Sequence, residues 1–223
     1  MSAPLRVPRA ALEDFVRERM GWIEDQRLRL QAEARDRDRR WSEGATIEVL
    51  GRPYVLALVG TGGVPGREDG PEGGRAASGD AAASHGGPAR LEGRRALVPL
   101  WPGAPAAEVQ AALAPVVKPL LRREVEGLMD HYAPLMGVQP GRLSLRSMTS
   151  RWGSCNVRTH NISINVELAF RPSRCLECVV VHELCHLLEP SHGARFHKLM
   201  DLYYPAWREA QGLLDANPPL RSH

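Results

Sequence analysis

VVVHELCHLLEPSHGARFH, residues 179–197, is the stretch on which the reading of this chain turns. It sets His182 and His186 four residues apart, places Glu183 beside the first, and brings His192 six residues after His186. On a helix, an i, i+4 separation puts two side chains on one face, so both imidazoles can approach a single metal ion. Zinc that performs hydrolysis takes about three protein ligands and keeps one position open, and the helical pair supplies two of them. A third has to arrive after a turn. Pro190 ends the helical run, and Ser191 and Gly193 let the chain reverse around His192, which is the expected third ligand.

Other residues compete for that place. Glu189 lies i+3 from His186 and i+7 from His182, on roughly the same face. His197 follows His192 by five residues and would serve if the loop folded differently. Cys178 stands one turn ahead of His182, although a small buried thiol is the plainer account of it. The run Val179, Val180, Val181, Leu184, Leu187 and Leu188 makes the helix nearly apolar all round, which predicts burial. Imidazoles buried beside a carboxylate need partners or a metal, and this is what separates the pattern from a chance match.

Composition frames the remainder. The chain has 223 residues, 43% of them hydrophobic, enough for one substantial core or one core with a long insert. A net charge of +3, from 29 basic and 26 acidic residues, makes no electrostatic case for a dedicated nucleic-acid-binding module. Charges near the N-terminus precede any apolar run of the kind a signal peptide needs, and no stretch approaches the roughly 20 apolar residues that span a bilayer. A soluble protein of the cytoplasm is expected, with no membrane partner. The four cysteines are expected to be free thiols: Cys175 and Cys178 form a CxxC, but Cys155 and Cys185 have the wrong spacing to complete a zinc site.

Along the chain, residues 11–34 read as an amphipathic helix through Leu12, Phe15, Val16, Trp22 or Ile23 and Leu30, followed by a solvated charge run over 35–40. Residues 46–59 read as a hairpin-like strand pair turning near Gly51 to Pro53. Residues 60–93 hold 11 of the 21 glycines and only Val64 and Leu91 as large aliphatics, so a disordered insert is expected, with His85 solvated. A short strand follows over 96–101. A second long helix is expected over 108–131, with Pro115 and Pro119 implying a kink or a late start. Strands are expected over 143–147 and 161–166, the latter joined near residues 156–160 to an antiparallel partner. Gly153 is read either as a bulge or as main chain free to pair with an extended substrate.

With these pieces laid out, the chain resembles the YgjP-like, SprT-related family of small zinc metallopeptidases. The matching segments are RWGSC (151–155), NISIN (161–165), VVVHELCHL (179–187), and the Ser191, His192 and Phe196 arrangement. FVRERMGWI (15–23), LGRPYVL (50–56) and YYPAWREAQGLL (203–214) are similar too. The resemblance implies an α+β, zincin-like single domain: a small mixed or antiparallel sheet packed on helices that include the one bearing HExxH. It divides the chain into residues 1–59, the insert 60–93, and residues 94–223 with the metal site. It also implies His182, His186 and His192 as ligands of one zinc per chain and Glu183 as the catalytic carboxylate, with a peptide or protein as substrate. The family commonly has Asn where this chain has Ser191 and Trp where it has His197, and it usually opens with a strand pair ahead of the first helix. Here LRVPRA precedes Ala11, so an incomplete N-terminal sheet or an upstream start is expected.

Zinc would lower the pKa of a water toward roughly 7 and Glu183 would take its proton and pass it to the leaving amine. Arg151, Tyr203, Tyr204 and His197 remain open as the donor to the oxyanion. Two other functions stand beside peptide hydrolysis. One is cleavage of DNA-associated proteins in repair, which lacks a zinc finger or contiguous basic patch to support it. The other is a metal-binding scaffold, which would not need Glu183.

Overall fold

The structure is a computed structural model that describes residues 19–22, 24–28, 31–32, 35, 38–60 and 87–219. The chain divides into two compact units, residues 1–40 and 41–223. In the first, the described residues between 19 and 40 are helical, as the amphipathic pattern predicts; residues 11–18 of the expected helix and most of the glycine-rich stretch lie outside the described residues.

The second unit is α+β, with two mixed sheets packed on helices. Strands β1 (Thr46–Val49) and β2 (Arg52–Leu58) form the expected antiparallel hairpin. Its two-residue turn carries Leu50 at φ 49° and Gly51 at φ 77°, both left-handed as a twist-matched hairpin turn requires. The Leu50 backbone N–H donates to the Ala169 carbonyl at 2.7 Å, which ties this unusual leucine to the second half of the unit. Strand β4 (Arg95–Val98) runs parallel to β2 and antiparallel to β3 (Arg90–Glu92), giving the order β1-β2-β4-β3. Strand β3 lies within the stretch expected to be a structureless insert. Leu91 packs against the core and Ala89 is buried, so the end of that stretch contributes to the sheet.

Helix α1 (Ala106–Met136) runs 31 residues through Pro115, Pro119 and Pro134. The helix begins nine residues ahead of Pro115, so the late start, one of the two expected effects of the prolines, is not found. Packing explains this: Val109, Leu113, Val117, Leu121, Val125 and Met129 form one buried stripe at four-residue spacing. Each such side chain contributes roughly 1.5–3 kcal/mol on burial, enough to hold the helix across broken backbone bonds.

The second sheet has the order β5-β7-β6, with β5 (Leu143–Arg146) parallel and β6 (Gly153–Asn156) antiparallel to the central β7 (Asn161–Asn165). A 3-10 helix (Val166–Phe170) leads into α2 (Ser173–Cys185), which packs on α1 and on β6. Tyr132 of α1 donates its hydroxyl to Glu177 of α2 at 2.7 Å. Burial and that carboxylate raise the Tyr132 phenol well above its ordinary value. Helices α3 (Ala194–Tyr203) and α4 (Trp207–Asp215) close over the other side of α2.

Candidate metal centre

Helix α2 delivers the first two histidines. It is as buried as its apolar run predicts: Val180, Val181, Leu184 and Cys185 have no measurable exposure. It ends earlier than the position of Pro190 implies. His186 is already the capping residue, still right-handed, and Leu188 and Glu189 both return their N–H groups to the Cys185 carbonyl at 2.9 Å. Pro190 disfavours helical geometry at the residue before it, and the last turn tightens in response.

The tightened turn also orients a ring. The Glu189 carbonyl lies 3.3 Å from Nδ1 of His186, which fixes the proton there and leaves Nε2 free to bind. Nε2 of His182 is 3.2 Å from Nε2 of His186 and 3.0 Å from Nε2 of His192. Ligand nitrogens at about 2.0–2.1 Å around tetrahedral zinc stand about 3.3 Å apart, so the spacing is that of a metal-ligand set. All three residues offer ligand atoms within 4.8 Å of one another, and they are the group of this kind among the described residues. Burial and the two neighbouring rings push His182 down to about 3, and burial lowers His186 as well, so both imidazoles stay neutral and able to coordinate.

Below the rings lies Phe196 of α3, 2% exposed, its centroid 4.7–4.9 Å from each of the three imidazole centroids. It seats all three rings against one apolar face.

Glu183 is 4% exposed, and its Oε2 is buried without a hydrogen-bond partner. Burial raises its carboxyl to about 8, with the Arg151 charge pulling the other way. It faces Gly153 of β6, where a Cβ would come within 2.8 Å of the glutamate Cγ and Cδ. A side chain at position 153 would therefore force the carboxylate or the strand to shift, a constraint the sequence position does not reveal. These residues line a cleft of about 460 Å³ whose walls include Trp152, Cys155, Val179 and Leu214.

The competitors make other contacts. The Glu189 carboxylate accepts from Ser191 Oγ at 2.7 Å and faces Arg195, so this residue meets the centre through its carbonyl only. His197 stacks on Trp207 with centroids 5.6 Å apart and planes 9° from parallel. The Cys178 thiol, pushed up to about 12 chiefly by burial, points to the Trp207 carbonyl at 3.7 Å. The cysteines are free thiols. Of the four residues considered for the oxyanion, Arg151 lines the cleft; Tyr204 instead donates to the Arg174 carbonyl at 3.2 Å.

An α+β unit that gathers three imidazoles around one point, beside a buried carboxylate and at the edge of a sheet, has the build of a metallopeptidase. The chain belongs to the YgjP-like metallopeptidase family, whose domain it matches over residues 1–217, and it is accordingly a zinc metallopeptidase. Among solved structures it is similar to the metallopeptidase zymogen abylysin of Pyrococcus abyssi, with 21% identity over 41% of this chain and 90% of that one and a TM-score of 0.37. It is also similar to the zymogen jannalysin of Methanocaldococcus jannaschii, with 16% identity over 43% of this chain and 94% of that one and a TM-score of 0.36. No curated protein matches it. Among the described residues, no helix is long and apolar enough to cross a membrane.

Proposed function

We propose that this chain hydrolyses peptide bonds with one zinc held by His182, His186 and His192 and with Glu183 as general base. The observation that carries the reading is the pairing of three convergent Nε2 atoms with a buried carboxylate whose Oε2 has no partner within the protein. A structural zinc site would be closed by a fourth ligand and would leave such a carboxylate without purpose. Zinc, when bound, supplies Lewis acidity to the attacking water and to the scissile carbonyl.

The protein's own part is positioning and proton transfer. The Glu189 carbonyl and the Phe196 ring hold the imidazoles in the binding orientation. Glu183, beside His182 on α2 and outside the ligand set, takes the proton of the water and returns it to the leaving amine. Its raised pKa brings it toward neutrality, where a base both accepts and releases a proton readily. Strand β6 pairs with β7 along one edge, and its other edge borders the cleft, where an extended substrate can add main-chain hydrogen bonds.

The test is Glu183→Gln, which keeps size and some hydrogen bonding and removes the proton acceptor. The variant is expected to bind about one zinc per chain and to lose roughly a hundredfold or more in hydrolysis of peptides or an unfolded protein, under conditions where parental turnover is chelator-sensitive. Parental turnover in a zinc-loaded variant would end this mechanism, and a parent inactive on every substrate would favour a scaffold.

A further inference from the structure

Arg151 stands in the wall of the metal cleft; its charge reaches Glu183 through space, but it is not among the metal ligands and forms no ion pair with the glutamate. Of the residues lining that cleft, Glu183 is the one carboxylate and is buried; Arg151 is the one guanidinium and is exposed. Among the described residues, no carboxylate forms an ion pair with it. An arginine carries its charge at any working pH and offers five donors in a planar fork matched to a carboxylate.

The segment that carries it is held firmly. Asn165, fully buried at the end of β7, donates its amide to the Met148 carbonyl at 2.8 Å and to the Arg151 carbonyl at 3.0 Å. Its own backbone N–H reaches the Trp152 carbonyl at 2.8 Å, and its Oδ1 accepts from the Glu167 N–H at 3.1 Å. One buried amide thus anchors the chain on both sides of the arginine. Trp152, next in sequence and also in the cleft wall, is itself held by the Arg171 guanidinium, 5.3 Å from its ring centroid. Strand β6 starts two residues after Arg151, so an extended segment laid along its open edge passes this charge at one end.

Resting on the peptidase reading above, we propose that Arg151 determines specificity by binding a carboxylate side chain of the substrate close to the scissile bond, at the end of the cleft where β6 begins. The enzyme then prefers acidic peptides to their neutral isosteres. A charge-assisted, two-pronged contact at a partly exposed site gives a preference of about tenfold.

The experiment pairs binding with turnover on the full chain. Peptides that carry Glu, Gln or Lys at each position flanking a cleaved bond are compared on the parent, R151Q and R151E, and their binding to zinc-loaded E183Q and E183Q/R151Q is followed by fluorescence anisotropy. At one position, the parent should favour Glu over Gln by about tenfold in kcat/KM, chiefly through KM, and E183Q should show the same ratio in binding. R151Q should erase the ratio and R151E should turn it toward Lys. Equal use of Glu and Gln peptides by the parent at every position overturns the proposal. So does an R151Q variant that lowers kcat alike for all peptides, which would mark an oxyanion donor instead. If E183Q keeps its turnover, the general-base mechanism fails while the binding ratios still decide the role of Arg151.

Discussion

Gly153 on strand β6 and Glu183 on helix α2 meet so closely that the glycine has no room for a side chain: a Cβ there would lie 2.8 Å from both Cγ and Cδ of the glutamate. Real Cβ contacts are essentially never that short. The contact limits where the carboxylate can stand relative to His182, its neighbour in sequence, and it joins strand β6 to the helix that bears the histidines, at the residue proposed as the base.

Gly153→Ala therefore tests the placement of the base separately from its identity. The methyl group forces the glutamate or the strand to move, and a displacement of about 1 Å at a reacting group costs on the order of a hundredfold in rate. We expect kcat to fall by tenfold or more with zinc content unchanged, as metal analysis and peptide hydrolysis would show. Full activity would mean that Glu183 acts from another rotamer.

The cluster of three histidines is legible in the sequence because helical spacing and a following turn are local properties, and local rules reach about ten residues along a chain. The hairpin at β1 and β2 and the strand pair β6 and β7 are legible for the same reason, each carrying its own turn. What is not legible depends on distant pairs. Nothing near Gly153 announces Glu183, 30 residues later, and nothing near Phe196 says that its ring will touch all three imidazoles. Asn165 reads as one polar residue in an alternating strand, and the three carbonyls it serves come together only in the fold. The prolines of α1 mislead because the tertiary burial of its stripe outweighs them.

Composition suggests one boundary that the structure moves. Replacing residues 64–86 by a short flexible linker should leave stability and hydrolysis near parental values, since loop length enters stability only logarithmically. Extending the deletion through residue 92 removes strand β3 and the buried Ala89, and it should lower the unfolding free energy by several kcal/mol in a denaturant titration. Equal stability of the two deletions would show that β3 adds nothing to the sheet.

Phe196 offers a way to weaken the centre without touching a ligand. Phe196→Ala removes a fully buried ring and should cost about 3–5 kcal/mol. Phe196→Leu keeps an apolar floor and should cost less, so its zinc affinity can be measured on folded protein. We expect that affinity to fall tenfold or more, as for the loss of groups that orient metal-binding histidines. For comparison, His182→Ala, His186→Ala and His192→Ala should each abolish stoichiometric zinc, and retention by His192→Ala would return the third place to Glu189 or His197.

The buried acid and base of the centre should leave opposite marks on the pH dependence of the zinc-free protein. The Glu183 carboxyl is raised from an ordinary 4.5 to about 8, chiefly by burial. Between those values the folded chain holds a proton that the unfolded chain has released, so stability falls as pH rises from about 4.5 through 8. His182 is lowered from 6.5 to about 3, again chiefly by burial. Between those values the unfolded chain holds the extra proton, and stability rises with pH from about 3 to 6.5. Where the windows overlap the two trends oppose each other, and above pH 6.5 the glutamate acts alone. Glu183→Gln removes only the falling trend. Denaturant titrations in chelator should therefore show the variant gaining on the parent steadily from pH 5 to pH 8 and levelling off above about 8. A constant difference across that range would mean that Glu183 is ionised in the zinc-free protein, with a partner other than the metal to stabilise its charge.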